Sequence, residues 1–364
     1  MIKKSKRINT AEKIESKFNI IRTVLSIFIA LVLAFLLILI VSDKPMDDFS
    51  TLLFGPIRNS RSIITVLSKM APLLFTAVAI SLVYQTGQMN IGAEGAFFAG
   101  SVAATAVAII PGIPKGLHAI LSILAGGLAG AVIMGIPGIL YTKFKSVTIV
   151  TSLMMNYVAL NIGLYFILNP LRDPAAGFEG SYAFMDSAIL PKLFNTRLSS
   201  GIIIGVIIVL FAIIILNKTT FGYKMKAVGN NPKFANYSGI NVKRTIILVS
   251  LLAGCIAGIG GSVEILGNYN RFMYSEFTNH GWDGMMISVL CRNNPKLIPV
   301  GAFFLAYLQT SADTLNLTSN IPPELISIVQ AIIIIFIAAK QFLKSWEHRS
   351  IIENSKINVT EEEE

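Results

Sequence analysis

The chain has 364 residues, of which 54% are apolar and only 14% charged, with a formal net charge of +10. An average soluble domain carries about 25% charged residues, so this composition, with a mean hydropathy of +0.68, excludes a disordered chain, a disulfide scaffold and an ordinary soluble enzyme. It predicts an all-α, polytopic membrane protein, in which an excess of Lys and Arg marks cytoplasmic loops rather than a nucleic-acid partner.

Residues 1–22 read as a basic cytoplasmic segment, and the single transmembrane domain is expected over 23–343. Its first uncharged run, 23–42, is about as long as a membrane helix needs to be. That run begins too far into the chain for a secretory signal, and no small-residue cleavage site follows at Val41-Ser42-Asp43, so it is expected to stay as an anchor. Further uncharged runs cover 70–93, 95–114, 116–142, 146–171, 198–217 and 245–263. The last third is choppier, with runs at 284–291, 297–312 and 325–339. The expectation is therefore about ten transmembrane helices, with one short or broken helix near 282–291.

Basic residues set the orientation. With both termini cytoplasmic, inner segments carry twenty-one Lys and Arg against eight in outer segments. The outer loop 169–199 is long enough for a small lid or an amphipathic helix. The inner loop 218–244 holds six basic residues and no acid. The tail 344–364 ends in four glutamates and reads as solvated. Cys255 and Cys291 lie in apolar surroundings, which is no pattern for a zinc site or disulfide framework.

No Gly-Lys dipeptide occurs anywhere, so the chain holds no phosphate-cradling ATP loop. His118, His280 and His348 are scattered, with no metal-ligand spacing. No cofactor is expected in this chain. In the inner loop, Asn231-Pro232 spells a helix start, an N-cap followed by proline at N1, and Gly239 suits a helix stop. The two turns between them are too short to be stable alone in water. A capped cytoplasmic helix presenting Phe234, Ala235 and Tyr237 is expected to dock on another protein; the bland alternative is a helix lying on anionic lipid headgroups.

The segment Phe221-Gly222 … Ala227-Val228-Gly229 … Asn231-Pro232 … Ala235 … Gly239-Ile240 resembles the coupling loop of permease subunits of bacterial ABC importers, in the simple-sugar and nucleoside branch. Asn90-Ile91-Gly92-Ala93-Glu94-Gly95 and Leu153-Met154-Met155-Asn156-Tyr157 are similar to two further motifs of that family. So are Gly281-Trp282-Asp283-Gly284 with Asn293-Asn294-Pro295, and Pro323-Glu324-Leu325 running into Val329-Gln330-Ala331. The matches run in family order over about residues 70–340. The sequence departs from the family pattern at Ala96, at Val147-Thr148, and at Met285, Met286 and Ser288, positions that bear on which solute is carried.

The resemblance implies a non-catalytic permease in the bacterial cytoplasmic membrane, forming the path for nucleosides or simple sugars. It implies an ABC ATPase partner, which holds ATP and Mg, a second homologous permease and an extracytoplasmic substrate-binding lipoprotein. Coupling to the ATPase then falls on Gly222, Asn231, Pro232, Phe234, Ala235, Tyr237 and Gly239. Candidate path residues are Asn90, Glu94, Asn156, Trp282 and Asp283. Glu94 is placed at the cytoplasmic start of the third span, where Asn90 can cap the helix and the dipole favours a carboxylate. Asn156 serves equally as glue between helices or as a solute contact. Asp283, among Gly281, Trp282 and Gly284, opens a glycine-flanked short helix of the kind that exposes backbone to a solute. Glu264 reads as a solvated helix end. The rival reading is a stand-alone secondary transporter or channel, which needs ionisable groups in the membrane; the long uncharged runs hold none except His118.

Overall fold

The computed structural model describes residues 28–29, 31–40, 42–193, 196–319, 328 and 331–332. The basic start, the acidic tail and nearly all of the expected last span lie outside the described residues. Regular structure among the described residues is helical: α1 (Leu31–Ile40), α2 (Pro45–Arg58), α3 (Ser60–Tyr84), α4 (Ala93–Ala108), α5 (Leu117–Phe144), α6 (Thr148–Leu168), α7 (Gly201–Lys218), α8 (Thr220–Asn230), α9 (Pro232–Tyr237), α10 (Val242–Asn268), α11 (His280–Leu290) and α12 (Ile298–Thr318). Five of them, α3, α5, α6, α7 and α10, are long and apolar enough to cross a membrane.

The chain divides into two compact units, 1–55 with 311–364, and 56–310. In the smaller unit, Ser42 Oγ donates to the Asp48 carboxylate, and Phe35 meets Phe49 edge to face at 5.0 Å between ring centres. Helix α2 occupies what sequence reading leaves as plain outer loop. Its charges at Asp47, Asp48 and Arg58 interrupt any apolar run, yet acids in the first turn and a base in the last suit the helix dipole.

In the larger unit α10 packs on α3, α4 and α5. Small residues let these backbones touch: a Cβ on Gly258 would fall on the backbone of Gly126 and Gly130 in α5. Helix α3 starts well before the uncharged run it contains, because a charge such as Lys69 ends a run without ending a helix. Asn59 caps it by accepting from Arg61 N at 3.1 Å.

The outer loop 169–199 forms no helix among its described residues, contrary to the amphipathic-helix expectation. Backbone bonds tie it down instead, Ser181 N to Phe272 O, Phe184 N to Asn270 O, Leu190 N to Leu266 O and Met185 N to Ala108 O. Asp173 pairs with Arg271 at 3.3 Å, and buried His118 bonds Ser187 Oγ at 2.7 Å and Val107 O at 2.9 Å. Pairing its backbone with a neighbouring loop and with the ends of α4 and α10 satisfies polar groups that a helix would otherwise pair internally.

The inner loop folds into α8 and α9. Thr219 Oγ1 accepts from Gly222 N, Asn231 Oδ1 from Phe234 N, and Asn241 Oδ1 from Arg244 N, so each of three successive helices begins on its own side-chain cap. A Cβ on Gly222 would strike the backbone of Ile215 and Leu216, so glycine is what allows α8 to fold back on α7. Gly239 sits at φ 81° just past α9, and Ile240 N bonds Ala235 O across the stop. Ala235 is buried with Val228, Ile240 and Ile246, while Phe234 and Tyr237 are 63% and 89% exposed. Ala235 therefore belongs to the seat of α9 and not to its docking face, a correction to the expected docking surface. That seat also supplies the packing a two-turn helix needs.

Candidate functional site

Two helices begin inside the larger unit rather than at its ends. The loop before α4 turns back among α5 and α6. Asn90 Nδ2 donates to Met134 O, ten residues short of the end of α5, and Ile91 N donates to Ser152 Oγ. Gly95 N donates to Asn156 Oδ1 at 2.9 Å, eight residues into α6, and Asn156 Nδ2 returns a bond to Ile91 O at 3.1 Å. At 1.5 Å of rise per residue, Ser152 lies about 6 Å, and Asn156 and Met134 about 12–15 Å, from the cytoplasmic ends expected for α5 and α6. Irregular backbone at such depth needs protein partners for every polar group, and Asn90, Ser152 and Asn156 supply them.

Glu94 stands at this level, not at an exposed helix end. It is 1% exposed, and its carboxylate accepts from Thr278 Oγ1 at 3.2 Å, Asn279 N at 2.9 Å and Gly281 N. The carboxylate is thus the N-cap of α11, a helix far away in sequence, whose own N-cap residue Asn279 sits at φ 63° and makes no side-chain cap. Asn90 does not cap α4 as expected either; its Oδ1 accepts from Gly92 N, and the cap of α4 comes from Asn156 Oδ1, which accepts from Gly95 N. A Cβ on Gly281 would collide with the backbone of Glu94, so glycine lets the two helix starts meet.

The other end of α11 is also held: Ser81 Oγ and Gln85 Nε2 both donate to Asn293 O at 2.8 Å. Between these holds, Asp283 Oδ2 accepts from Gln309 Nε2 of α12 at 2.8 Å. Trp282 and Asp283 are both half-buried. Adjacent helical residues project about 100° apart, so the two leave α11 in different directions. His280 meets Phe97 edge to face at 5.1 Å, and its Nδ1 is buried with no hydrogen-bond partner among the described residues.

Two short helices meeting N-terminus to N-terminus deep in an apolar bundle is the arrangement by which transporters bring polar groups to a solute. A family model described as branched-chain amino acid transport system / permease component matches residues 62–338. The chain belongs to this permease family. It is 33% identical over 337 residues to the nucleoside ABC transporter permease protein NupB of Lactococcus lactis subsp. cremoris, covering 88% of this chain and 92% of that protein. It is 28% identical over 334 residues to the glucose ABC transporter permease protein TsgB13 of Haloferax volcanii, covering 89% and 88%. It is 29% identical over 324 residues to the guanosine ABC transporter permease protein NupP of Bacillus subtilis, covering 88% and 93%. Both bacteria also hold a second matching permease, NupC and NupQ. No solved structure matches the chain.

In this ABC transporter permease, the residues read from sequence separate into two groups. Asn90, Glu94 and Asn156 come together with their hydrogen-bonding groups engaged inside the fold, while Trp282 and Asp283 follow directly in the first turn of α11. Gly222, Asn231, Pro232, Phe234, Tyr237 and Gly239 all lie on or beside α8 and α9. Sequence reading missed Ser152, Thr278 and Gln309. Gln309 carried a signal, being the sole amide in the run 297–312. Glu264 is a correction: it is 8% exposed and accepts from Asn268 Nδ2, so it is not a solvated end.

Proposed function

We propose that this permease lines the path for nucleosides, with simple sugars as the nearest alternative, in an ATP-driven importer of the bacterial cytoplasmic membrane. In this reading ten helices span the membrane with both termini cytoplasmic. A homologous second permease completes the path, an extracytoplasmic lipoprotein delivers the solute, and ATP with Mg is bound and hydrolysed on a separate ATPase. The solute reading rests on the nucleoside and guanosine permeases among the relatives, and the paired permeases of two bacteria support a heterodimer.

The observation that carries the coupling role is α9 itself. Its inner side is fixed by Ala235, and its outer side leaves Phe234 and Tyr237 uncovered beside a basic loop. Large exposed aromatics on a capped, seated helix are what a partner groove buries. Co-purification of the ATPase with the permease, read together with nucleoside uptake, tests this: replacing both aromatics with Ser should release the ATPase and stop uptake while the permease still accumulates. Full uptake by that variant removes the coupling role.

A gradient-driven carrier is the rival class. Uncharged runs exclude ionisable residues by definition, and Lys69, Glu94 and Glu264 lie within helices that pack in the larger unit. Family membership is what favours the ATP-driven class. Uptake that survives loss of the ATPase but collapses with the proton gradient would favour the rival.

A further inference from the structure

Resting on the solute reading above, we propose that Asp283, oriented by Gln309, is where the path recognises a pair of adjacent hydroxyls on the solute. Asp283 lies on a helix fixed at both ends, by the Glu94 carboxylate at its start and by Ser81 and Gln85 at its end. Its position relative to the rest of the bundle is therefore set before any solute arrives. A carboxylate offers about four acceptor sites, and Gln309 Nε2 takes one on Oδ2. Asp283 remains half-buried rather than enclosed, and in this proposal its remaining acceptor sites are the ones that meet the solute.

An acceptor-rich point selects a solute that brings donors. The bases of different nucleosides present different donor and acceptor patterns, and sugars have no base. What the proposed solutes share is a vicinal diol, two O–H donors spaced to reach the two oxygens of one carboxylate. Gln309 acts as a positioning residue: it holds the carboxylate plane so that both hydroxyls are met together.

The test compares initial uptake of a ribonucleoside and of its 2′,3′-dideoxy analogue by cells carrying the complete importer, normalised to assembled complex. The same lipoprotein serves every permease variant, so its own preference cancels when each variant is divided by the parent for each solute. A hydrogen bond to a charged group is worth enough that Asp283→Asn should cut ribonucleoside uptake about tenfold to a hundredfold. Uptake of the analogue should change by less than about threefold, as no hydroxyl is lost to it. Gln309→Leu should act in the same direction with a smaller factor. Asp283→Glu and Gln309→Asn should each impair uptake singly, and together restore it, since one side chain lengthens as the other shortens. This restoration is readable even where the analogue is carried too slowly to follow. Equal losses for both solutes, no loss for either, or no restoration in the double variant would overturn the inference. A parent complex that carries neither nucleosides nor sugars would instead overturn the solute reading.

Discussion

The start of α11 and the face of α9 use the same chemistry to opposite ends. Around Glu94 the carboxylate oxygens find three donors inside the chain, and close approach at Gly281 leaves no slack. Around α9 the cap and stop are equally well made, yet two aromatic side chains are left uncovered. The difference separates a fixed point from a contact. A buried carboxylate on three donors stabilises because each donor would otherwise lack water, whereas exposed Phe234 and Tyr237 gain little until something covers them.

The comparison makes predictions of decreasing size. The outer loop 169–199 and α9 are expected on opposite sides of the membrane, so exposed Glu179→Cys and Ser238→Cys, in a background without Cys255 and Cys291, should react with an impermeant thiol reagent from opposite sides. The effect is all-or-none, and labelling from one side breaks the topology. Next comes Glu94→Ala, which strips the cap from α11 and leaves Asn279 N and Gly281 N without an acceptor. A loss on the order of 3 kcal/mol is expected, read as a lowered melting temperature of the purified complex. Unchanged melting would mean that α11 does not depend on the clasp.

Ala235→Glu should unseat α9 by forcing a charge among Val228, Ile240 and Ile246, costing several kcal/mol locally and releasing the ATPase. Tyr237→Ala should release it too, but without shifting the melting temperature, because that side chain is 89% exposed. Equal melting shifts for the two variants would erase the distinction between seat and face. Gly239→Val is expected to cost about 1–2 kcal/mol, since a β-branched residue resists the left-handed conformation at φ 81°. Transport should uncouple while basal ATP hydrolysis continues. Smallest of all, Lys226→Ala removes an exposed bond to Asn217 Oδ1 and should shift stability by less than about 0.5 kcal/mol.

The sequence by itself determined the membrane class, the helical runs, and the cap and stop of α9. Those features are local: Asn231 reaches Phe234 three residues on, and Gly239 needs only its own backbone. Only the tertiary structure decided which partner each buried polar group takes. Glu94 reads as a charge at its own helix start, and its role as the cap of α11 appears only when residues 184–187 positions away fold against it. The same holds for the Asp283–Gln309 pair, for the depth of the loop at Asn90, and for Ala235, whose inward side is fixed by α10. Helix α2 was hidden for a different reason, because its charges end apolar runs while suiting its termini. Short-range hydrogen bonds and periodicity are written in the order of residues, whereas the burial of a charge depends on how distant segments close around it.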